Sequence, residues 1–247
     1  MTATILRQKN DAGPGMLLDV IDDAAAQTGT GQWTVSAAMG LGVPVPTIAA
    51  AVMARSLSGV TAVRSGMENA DPGAAGPLVP GGQDYIAQAL YGAAIIAFAE
   101  GVDLIRVGAA KHGWPIDPAE VAAVWRDGCI LRSRLLGRIE NAYRRDPDLP
   151  HLLLDPDIAG DLDIAALMAR KVLGQSVEAA IPLPAIESAF SYLHALGRPR
   201  LWTALTQAQR DMFGAHTYRR TDRGGSFHTD WGREVNLAQE GSGLIEE

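Results

Sequence analysis

From Asp84 to about His112, apolar side chains recur around nearly the whole girth of a helix: Ile86, Leu90, Ala93, Ala94, Ala97, Val102 and Ile105. A helix with so little polar surface belongs in the middle of a packed helical domain. The uncharged run inside it, Tyr85 to Ala99, is shorter than the roughly 18–20 residues a membrane span needs, and Glu100 and Asp103 follow it. No stretch alternates apolar and polar residues with period two. The expected fold class is therefore all-α, with no sheet of consequence. Aromatics are 6% of a chain that is 47% hydrophobic, so Ala, Leu, Ile and Val must fill the core.

Shorter helices are expected around the long one. The spacing of Leu17, Leu18, Ile21 and Ala24 predicts a helix over Gly15 to Gln27, and another starts near Trp33. Pro46 suits the first residue of a helix running to about Ser58. Gly59 to Gln83, rich in Gly, Pro and Ala, reads as an ordered loop or excursion. Asp117 and Pro118 form a cap and first-turn pair for a helix through Trp125. Ile130 to Tyr143 is amphipathic, Asp146 to Asp157 reads as a loop, and helices follow at about Asp161 to Leu173 and Pro184 to Leu196. A repeat runs through this pattern. Val43-Pro44-Val45-Pro46-Thr47-Ile48 is echoed by Ile181-Pro182-Leu183-Pro184-Ala185-Ile186, which points to two related helical units.

Composition closes off several functions. The single cysteine, Cys129, excludes a disulfide framework and a cysteine zinc site, and the five histidines show no metal-ligand spacing. A formal charge of −7 argues against general nucleic-acid binding. Met1 to Asp11 lacks the apolar core of a signal peptide, so the expected setting is cytoplasmic, without a membrane partner. Charge is nevertheless uneven: Arg198 to Arg233 carries seven arginines and three aspartates, a net +4. Either a solvated surface or a site for an anionic ligand fits that segment, and arginine's fork suits phosphate and carboxylate. Gly29-Thr30-Gly31 fails as a dinucleotide fingerprint, because Thr34 stands where a third glycine is needed and a helix rather than a strand is expected before it. A helix-to-helix turn and a phosphate-binding helix start both fit these glycines.

Three stretches carry a resemblance. The first runs from Gln27-Thr28-Gly29-Thr30-Gly31-Gln32-Trp33-Thr34 through Gly42-Val43-Pro44-Val45-Pro46 to Ala54-Arg55-Ser56-Leu57-Ser58. The second is Trp125-Arg126-Asp127-Gly128-Cys129-Ile130-Leu131-Arg132. The third is Gln207-Ala208-Gln209-Arg210-Asp211-Met212-Phe213-Gly214-Ala215-His216-Thr217-Tyr218, with Phe227-His228-Thr229-Asp230-Trp231 after it. In this order they resemble the all-helical C-terminal domain of decarboxylating 6-phosphogluconate dehydrogenases, over roughly residues 15 to 235.

The resemblance implies a homodimeric enzyme of the pentose phosphate pathway and gluconate utilisation, which oxidises 6-phosphogluconate with NADP to ribulose 5-phosphate and CO2. It implies that Thr30 and Arg55 help hold the substrate phosphate, and that Arg210 and His216 are delivered by a tail into the neighbouring subunit's site. Where the family has a lysine before the Gly-Thr-Gly turn, this chain has Thr28. The family's dinucleotide-binding domain, and the helix with its general base and acid, lie N-terminal to this region, and nothing in residues 1 to 26 resembles either. The expectation is thus substrate binding without catalytic or cofactor-binding residues in this chain, NADP being implied only for the complete enzyme. Expected boundaries are an N-terminal extension over 1–12, the helical domain over 13–216, and a tail over 217–247 that crosses to the dimer partner. Expected partners are a second copy, 6-phosphogluconate or a similar phosphorylated sugar acid, and a separate dinucleotide-binding chain. The alternative is a non-catalytic paralogue that binds sugar phosphates or regulates by dimerisation.

Overall fold

Ten α-helices and one pair of two-residue strands make up the described residues of the computed structural model, which are 2–67, 70, 82–127 and 129–232. In chain order the helices are α1 (Thr2–Ile5), α2 (Thr30–Leu41), α3 (Pro46–Ser58), α4 (Thr61–Gly66), α5 (Gly82–His112), α6 (Pro118–Trp125), α7 (Arg134–Arg145), α8 (Pro156–Glu178), α9 (Pro184–Leu196) and α10 (Thr203–Gly214). The strands β1 (Tyr218–Arg219) and β2 (Ser226–Phe227) form an antiparallel hairpin, with Tyr218 opposite Phe227. The chain divides into two compact units, Met1–His194 and Ala195–Glu247.

The long helix read from the sequence is α5, and it is the centre of the first unit. It packs along α8, while α6 packs along α7. Ala89, Ile95, Ile96, Ala99 and Val102 of α5 meet Leu136 and Ile139 of α7, Ile158, Leu162 and Ala165 of α8, and Phe190 of α9 in one buried cluster. Ala94 is only half-buried. It borders an apolar hollow of about 590 Å³ with Phe98, Leu104 and Trp125. Ile86 and Leu90, counted with the apolar girth, remain largely exposed within one chain.

A charge sits inside this core. Glu100 of α5 is fully buried, and its Oε1 accepts from the Thr47 backbone N–H at 3.0 Å and the Thr47 hydroxyl at 2.5 Å. Its Oε2 accepts from the Ile48 N–H at 3.1 Å. Val45, at the N-cap of α3, has no side-chain acceptor, so this distant carboxylate satisfies the helix's first amides. Burial pushes the Glu100 carboxyl up from its ordinary range, and the Thr47 and Ile48 bonds pull against that rise.

The internal repeat is visible in the backbone. After α2, Gly42 adopts a left-handed conformation (φ 70°) and the Val43 N–H reaches back to the Ala38 carbonyl at 2.9 Å. After α8, Ala180 does the same (φ 52°), with the Ile181 N–H on the Ser176 carbonyl at 2.8 Å. Both are the six-to-one bond of a Schellman stop, and each is followed by an apolar-Pro-apolar-Pro turn whose second proline opens a helix.

Three expectations need correction. Gly15 to Gln27 is not a helix: only Leu17–Val20 makes a 3-10 turn, and the rest runs irregularly. Its aspartates bond the main chain instead, Asp19 accepting from the Met16 N–H and Asp22 from the Ala24 N–H, while Asp23 pairs with Arg64. Such local bonds compete with a helix ladder. The amphipathic helix begins at Arg134, because Ser133 caps it by accepting from the Leu135 N–H at 3.2 Å; Ile130 is left outside and exposed. The helix read from Asp161 begins earlier, at Pro156, where Asp155 accepts from the Asp157 and Ile158 N–H groups. Within the expected loop of residues 59–83 lies the short α4, and residues 68–69 and 71–81 fall outside the described residues.

Candidate substrate-binding site

The first pair of expected residues, Thr30 and Arg55, lies at one corner of the first unit. Thr30 opens α2, after Gly29 at φ 93°. Gly29 has no side chain to cap the helix, so the first amides of α2 are not occupied by a cap. Close packing of α2 on α3 depends on Gly31, where a Cβ would stand 2.8 Å from Val52 Cγ2. Arg55, near the end of α3, donates to the Ala26 carbonyl. Beside it the Gln27 amide donates to the Ser56 hydroxyl at 3.3 Å, and the Ala25 N–H to the Ser58 hydroxyl at 2.9 Å. The end of α3 thus holds the strand of chain that leads through Thr28 into Thr30. Thr30 and Arg55 are both exposed, and so is Thr28.

The second pair, Arg210 and His216, lies in the second unit. Arg210 is on the exposed side of α10, with Nη1 donating to Gln207 Oε1 at 2.8 Å. His216 is exposed just past the helix end, flanked by Ala215 (φ 51°) and Thr217 (φ 61°). Two non-glycine residues in the left-handed region on either side of one histidine mark a backbone held in place by its surroundings.

What holds it is Asp211, a residue inside the sequence motif that the reading did not single out. Its carboxylate is fully buried and takes four donors. Oδ1 accepts from the Thr217 N–H at 2.9 Å and from His228 Nδ1 at 3.0 Å. Oδ2 accepts from the Thr229 N–H at 3.0 Å and the Trp231 indole N–H at 2.8 Å. Burial pushes this carboxyl up, but the Thr229 N–H, His228 and the Trp231 indole outweigh it and hold the group down at about 2. One aspartate therefore ties α10 to both strands of the hairpin and fixes the loop carrying His216. Tyr218 and Thr229 close the same loop through their hydroxyls, 2.5 Å apart. No spacing rule marks such a hub; its donors are scattered from residue 217 to 231.

The second motif stretch plays a structural part. Arg126 pairs with Glu140 at 2.7 Å, and Cys129 Sγ accepts weakly from the Leu131 N–H. Gly128 lies outside the described residues. Among the described residues no three His, Cys, Asp or Glu side chains gather as a metal cluster, and no helix is long and apolar enough to cross a membrane.

The family description "6-phosphogluconate dehydrogenase, C-terminal domain" matches residues 1–231. The chain belongs to this family. It is 40% identical over 249 residues to the chloroplastic decarboxylating 6-phosphogluconate dehydrogenase 3 of Arabidopsis thaliana, covering 97% of this chain and 51% of that protein. It is 40% identical over 236 residues to the Synechococcus elongatus enzyme, covering 94% and 50%. The solved structure of Plasmodium falciparum 6-phosphogluconate dehydrogenase superposes with a TM-score of 0.88 at 36% identity, over 93% of this chain and 50% of that one. The chain thus spans about half the length of the relatives it matches, and that half is the C-terminal, all-helical domain of the family.

Proposed function

We propose that this chain is the substrate-binding and dimerisation half of a decarboxylating 6-phosphogluconate dehydrogenase, without turnover of its own. The observation that carries the reading is the second unit's geometry. Arg210 and His216 stand exposed on a loop that Asp211 fixes with four hydrogen bonds, in a chain whose family relatives act on 6-phosphogluconate. Plasmodium falciparum 6-phosphogluconate dehydrogenase, the structural relative, is described with that substrate and with NADP+ as cofactor. In this reading Thr30 and Arg55 of one subunit bind the sugar phosphate, the partner copy contributes Arg210 and His216, and a tail over 217–247 crosses between the subunits. Residues 233–247 of that tail lie outside the described residues. A guanidinium and an imidazole converging on a dianionic phosphate supply charge-assisted bonds that a neutral sugar acid cannot.

NADP does not fit the residues described. A dinucleotide needs a strand, a glycine-rich turn and a helix start in succession. The chain before Gly29 is irregular, and the two strands present are the two-residue pair of the hairpin. In this reading the dinucleotide is held by a dinucleotide-binding domain outside the residues described. A cytoplasmic setting is part of this reading, in a family that also has chloroplastic members.

Calorimetry with 6-phosphogluconate against unphosphorylated gluconate tests the site. With Thr28 in the lysine's place, the expected affinity is weak, roughly 0.1–1 mM. Arg210→Ala should abolish binding, and Thr28→Lys should strengthen it by about 1 kcal/mol. The same preparation mixed with NADP should form no NADPH. Equal binding of the two acids would reduce the chain to a helical dimerisation module, and NADPH formed in proportion to protein would overturn its inactivity. Thr28 favours one second reading, a non-catalytic paralogue that binds sugar phosphates or regulates by dimerising with a complete relative.

A further inference from the structure

The second unit contains a hollow of about 640 Å³ that the substrate reading does not use. Three arginines are among the residues that line it, Arg200, Arg219 and Arg220. Arg220 is bonded to Asp222 through Nε at 2.8 Å and Nη2 at 2.6 Å. Arg200 and Arg219 have no hydrogen bond or ion pair among the described residues. Asp222 also lines the hollow but is taken by Arg220, which leaves two arginines of the lining without an ion-pair partner among the described residues, in a protein whose net charge is −7. The first turn of α10 at Thr203 lines the same hollow, and the positive end of a helix adds to the field.

One wall is aromatic and immobile. Trp231 lines the hollow and is 40% exposed, while its indole N–H is fixed to Asp211. The anchored N–H prevents the ring from swinging away, so its open surface is a ready platform for a flat ring. Leu201 and Ala204 supply apolar surface beside it. The volume lies within the range of small-molecule sites, where a few polar groups orient a ligand against apolar walls.

We propose that this hollow is a binding site for a nucleotide-like phosphate ester, its phosphate held by Arg200 and Arg219 and its flat ring laid on Trp231. Guanidinium forks suit a phosphate's several acceptor oxygens. An aromatic face beside them selects an ester with a planar group over a bare sugar phosphate. Arg210 and His216 do not line it, although Gln207, which does, accepts from Arg210 Nη1 at 2.8 Å.

AMP, adenosine and inorganic phosphate are the probes, titrated into the full chain with calorimetry and tryptophan fluorescence as readouts. AMP should bind once per chain and quench fluorescence. Adenosine and inorganic phosphate should each bind at least about tenfold more weakly. Arg200→Ala and Arg219→Ala, both at exposed positions, should each weaken AMP about tenfold or more. Saturating 6-phosphogluconate should not displace AMP. No binding of AMP up to about 5 mM, equal binding by both alanine variants, or AMP binding no tighter than inorganic phosphate would each overturn the proposal. Displacement by 6-phosphogluconate would overturn it too, assigning the binding to the sugar-phosphate site. Absence of 6-phosphogluconate binding bears on the substrate reading alone, because the AMP titration is scored separately.

Discussion

At Asp211 a single carboxylate decides the shape of some twenty residues of chain. Its folded-state pKa of about 2 lies below the ordinary 3.8, so the stability it contributes is present above about pH 4. That stability is lost as pH falls from about 4 towards 2. The Trp231 indole N–H resonance should therefore shift over that window, while Asp211→Asn should place it near its acid position already at pH 7. A resonance that stays still through the window would mean the carboxylate is not the clasp. Ala180 offers a second residue-level test. It holds the left-handed position that Gly42 holds in the other copy of the turn, and a Cβ there costs about 1 kcal/mol. Ala180→Gly should raise the melting temperature by about 2 °C, and Gly42→Ala should lower it by a similar amount. An unchanged melting temperature in both would show the turns to be unstrained.

The helices show which signals a sequence carries. Asp117-Pro118 and Pro46 place their helix starts because cap and first-turn chemistry is local, and α3, α6 and α9 begin where that chemistry puts them. Asp155-Pro156 is the same signature as Asp117-Pro118, and it starts α8 ahead of the expected Asp161. The helix expected over Gly15 to Gln27 failed because apolar spacing says nothing about aspartates that bond their own backbone. In the candidate site, Thr30, Arg55, Arg210 and His216 were legible from motif resemblance, whereas Asp211 was not, since its partners become neighbours only on folding. Glu100 is a further case: with Asp103 after it, it reads from sequence as the end of an uncharged run. Glu100→Ala should cost about 2–4 kcal/mol, because the Thr47 and Ile48 amides lose their acceptor in a buried setting. Glu100→Gln should cost less, keeping the Thr47 acceptor. Its folded pKa is raised, so the wild-type contribution is fullest below about pH 4.5 and declines as pH rises. Denaturant titration of the wild type and both variants at pH 5 and 8 would check this. A glutamine variant with the same pH dependence as wild type would rule out Glu100 as its source.

One chain leaves much apolar surface uncovered. Leu90 on α5, Met53 and Leu57 on α3, and Leu205, Met212 and Phe213 on α10 are all exposed, Phe213 at 94%. Apolar surface of this extent is ordinarily met by another chain. The homodimer in the proposed reading should cover surface of this kind and be clasped by the tail over 217–247, so a chain ending at Tyr218 should sediment with a weaker dimer than the full chain. An equally tight dimer would place the contact elsewhere.

The repeated turn also bears on how two similar units differ. Both copies make the main-chain bonds of the same stop, while their side chains differ. The first helix borrows Glu100 from across the fold for its start; the second uses its own Glu187, which accepts from the Leu183 N–H four residues back. Nine residues past each opening proline stand Arg55 in the first copy and Leu193 in the second, and Leu193 packs on the core. Ala189 is fully buried where its counterpart Ala51 is exposed. The two copies thus divide the labour. One helical pair keeps its face towards solvent and a cation at its end, and its twin has been turned inward as filler.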